Sequence, residues 1–297
     1  MPPRTSLAMH LLAILVVAVW GTTFVSTKVL LDAGLQPGDI FFIRFLIAYL
    51  CILPFSWGRL WAHNLRHELL LVLAGITGGS LYFLTENIAL THSYCSNVSL
   101  IVCSTPVITA VLLGCCYQGE RINRRQLLCS MAALGGMALV VFNGSFVLHL
   151  SPVGDLLALA AAVVWALYSL VIRVLNNRYP MLFVTRKIFF YGLLTILPLY
   201  AFVPLQTDVE LLCSPRVVGN LLFLGIVASC MCYLAWNVVM VRIGVVRSSN
   251  YLYLNPVVTL VASHLVLDER ITPLAVAGTV LALLGIAGVE YFKRAAP

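Results

Sequence analysis

Residues 97–121 read NVSLIVCSTPVITAVLLGCCYQGER, an apolar stretch with Pro106 near its middle and Gly-Glu-Arg at its end. Residues 249–270 repeat the pattern as SNYLYLNPVVTLVASHLVLDER, with Pro256 in the middle and Asp-Glu-Arg at the end. Two proline-interrupted apolar helices at corresponding places in two halves of a chain are the pattern expected around a solute site inside a membrane.

The composition also indicates a membrane protein. Of the 297 residues, 61% are hydrophobic and only 10% are charged, whereas soluble domains carry about 25% charged residues. The apolar runs are continuous and roughly 20 residues long, which favours membrane-spanning helices over the alternating strands of a β-barrel. The net charge of +7 lies mainly in short connections, without interleaved aromatic residues, so no nucleic-acid partner is expected. We therefore predict an all-α protein embedded in a lipid bilayer.

Ten transmembrane helices are predicted from these runs. Their expected bounds are 7–27, 39–57, 69–91, 97–117, 127–147, 155–174, 184–204, 218–241, 249–267 and 273–292. The first run is longer than the apolar core of a secretory signal, so we expect it to be retained. The chain then divides into two five-helix repeats, 1–147 and 148–297.

Matching residues recur in the two halves. The pairs are Trp20 and Trp165, Arg44 and Arg186, Asn87 and Asn237, Pro106 and Pro256, and the motifs Glu120-Arg121-Ile122 and Glu269-Arg270-Ile271. Because each half has an odd number of spans, the second half must enter the membrane from the opposite side. The sequence thus predicts two inverted repeats around a central cavity, an arrangement found in secondary transporters.

The distribution of positive charge predicts the orientation. With the N-terminus inside, most of the 18 lysines and arginines fall in segments that face the cytoplasm, as the positive-inside rule requires. Both termini are therefore expected to be cytoplasmic. The nine cysteines lie mostly in apolar runs, where thiols behave as small hydrophobic groups, so neither a disulfide framework nor a metal site is expected.

Several motifs together resemble the EamA-type transporters of the drug/metabolite transporter superfamily. They are Trp20-Gly21 in the first span, Arg44 early in the second, and the proline-centred fourth span closed by Gly-Glu-Arg, in an order repeated with inversion. The resemblance covers essentially the whole chain. It implies a basket-like bundle with a central cavity, alternating access, and export of amino acids or other small organic metabolites. It does not supply the substrate, because members of the family do not share one.

Glu86 and Arg44 are the ionisable residues that stand out, because each lies well inside an apolar run, where charge is costly and usually functional. From the helical rise, both lie roughly 7 Å below the outer interface, so they could pair. In one interpretation Glu86 couples transport to protons or receives a substrate amine; in the other it is a structural partner of Arg44. For Arg44 considered by itself we favour a structural role. The reason is that the related Arg186 is expected near the inner surface in a cationic loop.

Aromatic and polar residues within the spans are further candidates for the cavity wall. The substrate-binding candidates are Trp20, Tyr82, Glu86, Asn87, Ser104, Thr105, Trp165, Tyr168, Trp236, Asn237, Tyr251 and Asn255. The aromatic rings would contact an amphipathic solute, including an amine by cation–π interaction, or pack between helices. The two related asparagines would line the cavity or bond between helices.

The two prolines are candidate hinges. Pro106 frees the carbonyl of Val102, and Pro256 frees that of Leu252. A freed carbonyl beside a hydroxyl or amide predicts a polar patch near mid-membrane, where irregular backbone is tolerated if it lines a cavity or is buried in protein. A simple packing kink is the alternative.

These features favour a secondary carrier that exports small organic metabolites, amino-acid-like or otherwise amphipathic, across a cell membrane, expected to be a bacterial inner membrane. A broader permease for drugs or nucleotide sugars is the first alternative, although nucleotide sugars would favour several cavity cations and only Arg44 is a candidate. A membrane receptor or enzyme on this scaffold would need an added domain or a catalytic cluster, and the sequence shows neither.

The expected partners are a small-molecule solute and the lipid bilayer, with the proton as a candidate coupling ion. No cofactor is expected, and the absence of a phosphate-binding loop argues against an ATP-driven pump. Close-packing faces at Gly75 and Gly278 indicate helix contacts and are compatible with a monomer or a homodimer.

Overall fold

The chain is helical throughout the part that the computed structural model describes, which comprises residues 7–56, 58, 60–116, 123–142, 151–176, 178–202, 209–267 and 272–294. Within these ranges the α-helices are α1 (Leu7–Asp32), α2 (Pro37–Ile52), α3 (Leu65–Gly75), α4 (Leu81–His92), α5 (Cys95–Val102), α6 (Thr105–Cys116), α7 (Arg124–Phe142), α8 (Pro152–Asn176), α9 (Met181–Ile196), α10 (Val209–Leu212), α11 (Pro215–Leu222), α12 (Cys232–Ile243), α13 (Val245–Asn250), α14 (Asn255–Leu267) and α15 (Pro273–Arg294). No strand occurs among these residues.

Seven helical stretches of the described chain are long and apolar enough to cross a membrane. They are Leu7–Asp32, Pro37–Phe55, Leu65–His92, Val98–Cys116, Pro152–Leu175, Met181–Ala201 and Pro215–Ile243. α7, α14 and α15 occupy the other three predicted spans. Leu128 and Leu265 are 69% and 75% exposed, as expected for side chains that face lipid. The prediction of an all-α, multi-pass membrane protein is confirmed.

Some predicted features lie outside the described residues. They are the Gly-Glu-Arg and Asp-Glu-Arg motifs that close the two proline-centred stretches, and the boundary between the halves at residues 147 and 148. These features stay predictions.

Both proline-centred stretches are broken helices rather than kinked ones. α5 ends at Val102 and α6 begins at Thr105, and a 3₁₀ turn separates α13 from α14. Pro106 and Pro256 each occupy the second position of the new helix. An N–H at that position has no helical partner, so proline begins a helix at a place where it could not continue one.

The carbonyls predicted to be freed by the prolines accept hydrogen bonds from side chains. Thr105 Oγ1 donates to the Val102 carbonyl at 2.6 Å. The Cys103 thiol donates to the Leu252 carbonyl at 3.1 Å. The second bond joins the two breaks directly, so the polar backbone at each break is satisfied inside the protein.

The third and eighth predicted spans are interrupted by π-helical turns, which the prediction of continuous helices missed. One turn, Ile76–Ser80, lies between α3 and α4, and the other, Phe223–Met231, lies between α11 and α12. A π-helical turn widens the helix locally, and such turns are frequent at functional sites. In the first of these turns Gly79 has non-helical backbone angles of φ −129° and ψ −106°.

Two aromatic side chains bond to carbonyls in these π-helical turns. The Tyr233 hydroxyl donates to the Gly78 carbonyl, and Trp20 Nε1 donates to the Ala228 carbonyl at 2.9 Å. Gly78 and Ala228 are separated by the same number of residues as Pro106 and Pro256. Each half therefore presents an equivalent carbonyl, and a ring from the other half satisfies it.

α7 and α15 pack closely through small residues. A Cβ atom added at Gly136 would lie 2.5 Å from the backbone nitrogen of Ala282 and 2.6 Å from the carbonyl oxygen of Gly278. One added at Gly285 would lie 2.6 Å from the nitrogen of Ala133. Helix backbones approach this closely only where small residues face one another. The close-packing face predicted at Gly278 is thus used within the chain.

A charged cluster ties α3 to α9. Glu68 pairs with Lys187 Nζ at 2.6 Å, and its carboxylate also accepts from the Tyr191 hydroxyl and from the Ala62 N–H at 2.6 Å. Lys187 Nζ lies 4.4 Å from the centre of the Trp61 ring. The lysine and glutamate side chains are only 6% and 13% exposed, so this ion pair is largely withdrawn from solvent.

Arg186 is not in a cationic loop, and that prediction is wrong. α9 begins at Met181, which places Arg186 in its second turn. The side chain is buried and donates to the Ser56 carbonyl. Arg44 and Arg186 are therefore both buried helix residues. A loop position of Arg186 cannot be used to assign different roles to the two arginines.

Candidate functional site

A central cavity lies between helices of both halves. It is lined by Trp20, Thr23, Phe24, Arg44, Tyr82, Phe83, Glu86, Val102, Thr105, Trp165, Tyr233, Leu252 and Asn255. A mostly apolar and aromatic wall with a few polar groups is typical of small-molecule sites. Within the described residues no cluster of His, Cys, Asp or Glu could hold a metal ion.

Much of the cavity wall consists of equivalent residues from the two halves. Trp20 and Trp165 are one such pair; the others, spaced like the two prolines, are Phe83 and Tyr233, Val102 and Leu252, and Thr105 and Asn255. The last two pairs come from the two helix breaks. Both breaks thus face one shared space, as the sequence predicted for the proline-centred stretches.

The aromatic part of the wall is a connected cluster. Trp20 and Trp165 meet edge to face with ring centroids 5.4 Å apart. The ring centroid of Tyr82 lies 4.8 Å from that of Trp165, and the ring centroid of Tyr233 lies 5.9 Å from that of Trp165. Each ring pair of this kind contributes roughly 0.5–1.5 kcal/mol beyond its buried area. The cluster therefore gives the cavity a preformed wall for an apolar or aromatic group.

The charged groups of the cavity come from the first half, as far as the described residues show. Arg44 on α2 is fully buried and donates from Nε to Ser229 Oγ at 3.1 Å. Its guanidinium carbon lies 4.2 Å from the centre of the Phe83 ring. Glu86 on α4 is 6% exposed and accepts from the Tyr82 hydroxyl at 2.7 Å. Equivalent residues of the two halves thus form much of the cavity wall, but no charged residue of the second half is among the described residues that line it.

Arg44 and Glu86 line the same cavity without forming an ion pair. In the described part of the chain, no carboxylate oxygen of Glu86 lies within 4.0 Å of an Arg44 nitrogen. The tight structural pair considered from the sequence is therefore not the arrangement observed. Among the described residues, Glu86 Oε2 and the terminal nitrogens of Arg44 have no hydrogen-bonding partner, so both charges remain available to a solute.

Two neutral groups of the wall are also unpartnered within the described chain. Trp165 Nε1 and Asn255 Oδ1 are buried and make no hydrogen bond there, and each side chain is 5% exposed. A buried polar group without a partner costs about 1–3 kcal/mol. These two atoms have almost no accessible surface, so they are unsatisfied polar groups within the wall itself.

The predicted substrate-binding residues separate into two groups. Those that line the cavity are Trp20, Tyr82, Glu86, Thr105, Trp165 and Asn255. Those that lie behind the wall are Asn87, Ser104, Tyr168, Trp236, Asn237 and Tyr251. Five of this second group, all but Ser104, make hydrogen bonds or ring contacts with neighbouring helices.

The two related asparagines bond between helices, which was one of the two predicted roles. Asn87 Nδ2 donates to the Pro37 carbonyl at 3.0 Å. Asn237 Nδ2 donates to Thr185 Oγ1 at 3.0 Å, and its Oδ1 accepts from the Tyr168 hydroxyl at 3.3 Å. These bonds hold α4 to the start of α2, and α12 to α8 and α9, so they position the cavity-lining residues of the same helices.

The remaining residues behind the wall have separate surroundings. Trp236 packs on Trp20 with ring centroids 5.1 Å apart. The Tyr251 hydroxyl and His10 Nδ1 are 2.5 Å apart in a hydrogen bond between the second helix break and α1. Ser104 Oγ is buried, with no partner among the described residues. None of the three side chains reaches the cavity.

Sequence reasoning missed several lining residues, namely Thr23, Phe24, Phe83, Val102, Tyr233 and Leu252. A usable signal existed for some of them. Thr23 and Phe24 follow Trp20 by one helical turn and so share its face. Phe83 and Tyr233 occupy equivalent positions in the repeat. For Val102 and Leu252 the sequence predicts freed carbonyls, and the structure adds their side chains to the cavity wall.

A sequence profile of the EamA-like transporter family matches the chain twice, over residues 7–142 and 152–291. The chain belongs to this family. The predicted resemblance is confirmed, and this EamA-family protein is a transporter rather than an enzyme.

The EamA-family protein is similar over nearly its whole length to named bacterial relatives. It is 29% identical over 283 residues to the probable terminal-alkyne amino-acid exporter of Streptantibioticus cattleyicolor, with 95% of this chain and 92% of the relative covered. It is 27% identical over 282 residues to the probable amino-acid metabolite efflux pump of Escherichia coli K12, with 93% and 92% covered. A crystal structure of another protein matches with a TM-score of 0.74 at 18% identity, covering 97% of this chain and 96% of that one. The last similarity supports the fold alone.

Proposed function

We propose that this protein is a secondary carrier that exports small amphipathic, amino-acid-like metabolites by alternating access. The observation that carries the proposal is the cavity between two broken helices, whose wall takes equivalent residues from both halves. In secondary transporters, discontinuous helices from opposed repeats enclose the solute site. Val102 and Leu252, one from each break, line the cavity here.

The architecture we propose for this function is ten membrane spans in two inverted five-helix halves, 1–147 and 148–297. It is supported by the two family matches, by helices at all ten predicted spans, and by the equivalent positions of the prolines and π-helical turns. The distribution of lysine and arginine supports cytoplasmic termini. The bacterial relatives support a bacterial inner membrane.

Alternating access requires the two halves to separate first at one end and then at the other. The Glu68–Lys187 pair joins a helix of the first half to a helix of the second. We expect this contact to break or rearrange when that end of the bundle opens. The aromatic wall is the surface around which the halves would rock.

An amino-acid-like substrate is supported by the cavity and by the relatives. The aromatic cluster suits an apolar group, whereas Glu86 and Arg44 suit charged groups on the same solute. Two relatives are named as a probable amino-acid exporter and a probable amino-acid metabolite efflux pump. A nucleotide sugar fits less well, because Arg44 is the one cation among the described lining residues.

We expect proton coupling at Glu86, the carboxyl group among the lining residues of the cavity. Glu86→Gln should then abolish the pH dependence of transport while leaving the fold intact. An unchanged pH dependence in that variant removes the coupling role. Asp32→Asn, at a surface ion pair with Lys28, is the matched control.

The carrier proposal is tested by counterflow in liposomes that contain the purified protein. Labelled amino acids and amines would be added outside vesicles loaded with the unlabelled solute, with and without a pH gradient. We expect transient accumulation of at least one amino-acid-like solute, and none in protein-free vesicles. Failure of every small solute to exchange would rule out the carrier function.

A further inference from the structure

His67, in the first turn of α3, uses both ring nitrogens at a contact with the second half of the chain. The side chain is buried. Its Nδ1 lies 2.7 Å from the hydroxyl oxygen of Tyr179, and its Nε2 lies 2.7 Å from Nη1 of Arg178. Arg178 and Tyr179 belong to the connection between α8 and α9. The imidazole therefore joins the two halves at the end of the bundle that the distribution of charge predicts to be cytoplasmic.

The two partners determine the protonation state of this imidazole. A guanidinium group only donates hydrogen bonds, so Nε2 of His67 must accept and carries no proton. A neutral imidazole has one N–H, which therefore lies on Nδ1 and donates to the Tyr179 oxygen. That oxygen also accepts from the His63 N–H at 2.9 Å. His67 is thus neutral in this arrangement, and a second proton has to enter at Nε2, where Arg178 donates.

The groups around His67 do not favour that second proton. Within the described chain, Arg178 is the hydrogen-bonding partner of Nε2. The neighbouring carboxylate of Glu68 is already engaged by Lys187 and Tyr191 of α9. The other charged or titratable groups on the packed elements are Arg66 and His63 near the start of α3, Arg173 in the last turn of α8, and Arg186 of α9, which donates to the Ser56 carbonyl. Protonation therefore replaces a hydrogen bond with a contact between two cations.

The equivalent positions at the other end of the bundle are apolar. His67 is the third residue of α3, and the third residue of α11 is Val217. Tyr179 lies two residues before α9, and Leu35 lies two residues before α2. Val217 and Leu35 are each 2% exposed. A change of pH can therefore weaken the contact at one end of the bundle without changing its equivalent at the other.

We propose that His67 is a pH-sensitive switch between the two halves. When neutral, it binds Arg178 and Tyr179 and holds the predicted cytoplasmic end closed. When protonated, it repels Arg178 and releases that end. Histidine is the side chain whose charge ordinarily changes between about pH 5 and 8. The consequence for transport rests on the proposed function, because an acidic cytoplasm would then favour the inward-open state of the carrier.

Thermal unfolding of the purified protein in detergent tests the proton dependence without a substrate. The wild type and His67→Gln are compared at about pH 8 and at about pH 5.5, on either side of the histidine range. The glutamine amide accepts from Arg178 but does not titrate. The unfolded chain lacks the contact with Arg178 and binds the proton more readily, so stability is lost as the pH falls. We expect the midpoint of the wild type to fall by roughly 2–4 °C relative to that of the variant at the lower pH.

Three further variants distinguish a switch from a merely structural role. His67→Val introduces the residue of the equivalent position and should also remove this pH dependence, so the test does not depend on one variant folding. Arg178→Gln removes the repelling charge, so the pH dependence should shrink although His67 still titrates. His92→Gln, at an exposed histidine at the end of α4, should keep the pH dependence of the wild type.

Hydrogen exchange followed by mass spectrometry tests the release of the contact. The wild type and His67→Gln are compared at the same pH, so the effect of pH on the intrinsic exchange rate cancels. At about pH 5.5 the amides at the start of α3 and of α9 should exchange about tenfold faster in the wild type. At about pH 8 the two proteins should exchange alike, and the start of α11 should show no difference at either pH.

The outcomes separate this inference from the carrier proposal. The same pH dependence of the midpoint in the wild type, His67→Gln and His67→Val would overturn the switch. Acid-induced exchange that is equally fast at the start of α11 would also overturn it, because it indicates a general loosening of the bundle. Neither measurement uses a solute. Failure of counterflow would therefore refute the carrier and leave the switch, whereas an unchanged pH dependence would refute the switch and leave the carrier.

Discussion

Gly136→Ala is expected to destabilise the packing of α7 on α15, whereas Gly135→Ala is not. A Cβ atom at Gly136 would lie 2.5 Å from the nitrogen of Ala282 and 2.6 Å from the Gly278 oxygen. These distances are roughly 1 Å shorter than favourable contacts of about 3.5–4.0 Å. At Gly135 an added Cβ meets nothing within 4 Å. The two neighbouring glycines therefore form a matched pair with opposite expectations.

The expected loss of stability depends on which atoms collide. Backbone atoms of α15 cannot rotate away from a methyl group at Gly136, so the two helices must separate or bend. Overpacking of this kind typically costs about 1–3 kcal/mol, and it is partly offset by the gain of up to about 1 kcal/mol for alanine over glycine within a helix. We expect Gly136→Ala to lose about 1–2 kcal/mol and Gly135→Ala to gain up to about 1 kcal/mol.

Thermal unfolding of the purified proteins in one detergent, followed by circular dichroism at a fixed heating rate, measures the difference. A fixed rate matters because unfolding of such proteins is often irreversible. The midpoint should fall for Gly136→Ala and hold or rise for Gly135→Ala. Equal midpoints for the two variants would show that α7 and α15 do not approach as described.

Two further substitutions test other contacts by the same unfolding measurement. Glu68→Gln leaves the buried ammonium of Lys187 without its counter-ion, so we expect a loss of about 3–5 kcal/mol; a loss no larger than about 1 kcal/mol, typical of exposed pairs, would contradict the burial of this pair. Trp20→Phe removes the donor to the Ala228 carbonyl and should cost roughly 1–3 kcal/mol more than Trp236→Phe, which removes an indole N–H without a partner among the described residues. Equal effects of the two tryptophan variants would refute the role of that bond.

The membrane-spanning elements were predictable because hydropathy and length decide them. Among the described residues, helices lie within each predicted span. The break in each proline-centred stretch followed from one residue, since proline cannot continue a helix. The cavity location followed from the repeat, because equivalent interruptions in two halves indicate a shared site.

The direction of individual side chains was less predictable. Glu86 faces the cavity, but Asn87 bonds to Pro37 behind the wall. Adjacent helix residues point about 100° apart, so the cavity position of one residue does not determine where its neighbour points. Trp236 occupies the position equivalent to Glu86 yet packs on Trp20 outside the cavity. The repeat therefore predicted the positions of the helices better than it predicted the directions of their aromatic side chains.

The absence of a direct ion pair was also beyond sequence reasoning. A depth estimate placed Arg44 and Glu86 at the same level, but depth alone does not determine which faces meet. The partners that each charge has instead, Ser229 and Tyr82, come from tertiary packing. Only the structure could distinguish a neutralised pair from two separately available charges.

The π-helical turn at Ile76–Ser80 changes the angular phase of the helix that follows it. Before the turn, Gly75 packs against Tyr191 of α9; after it, Tyr82 and Glu86 line the cavity. One residue corresponds to about 100° of rotation about a helix axis. Deleting Gly79 should therefore turn the carboxylate out of the cavity and abolish solute binding while the bundle still assembles. In this part of the molecule, the number of residues therefore sets which side chains reach the cavity.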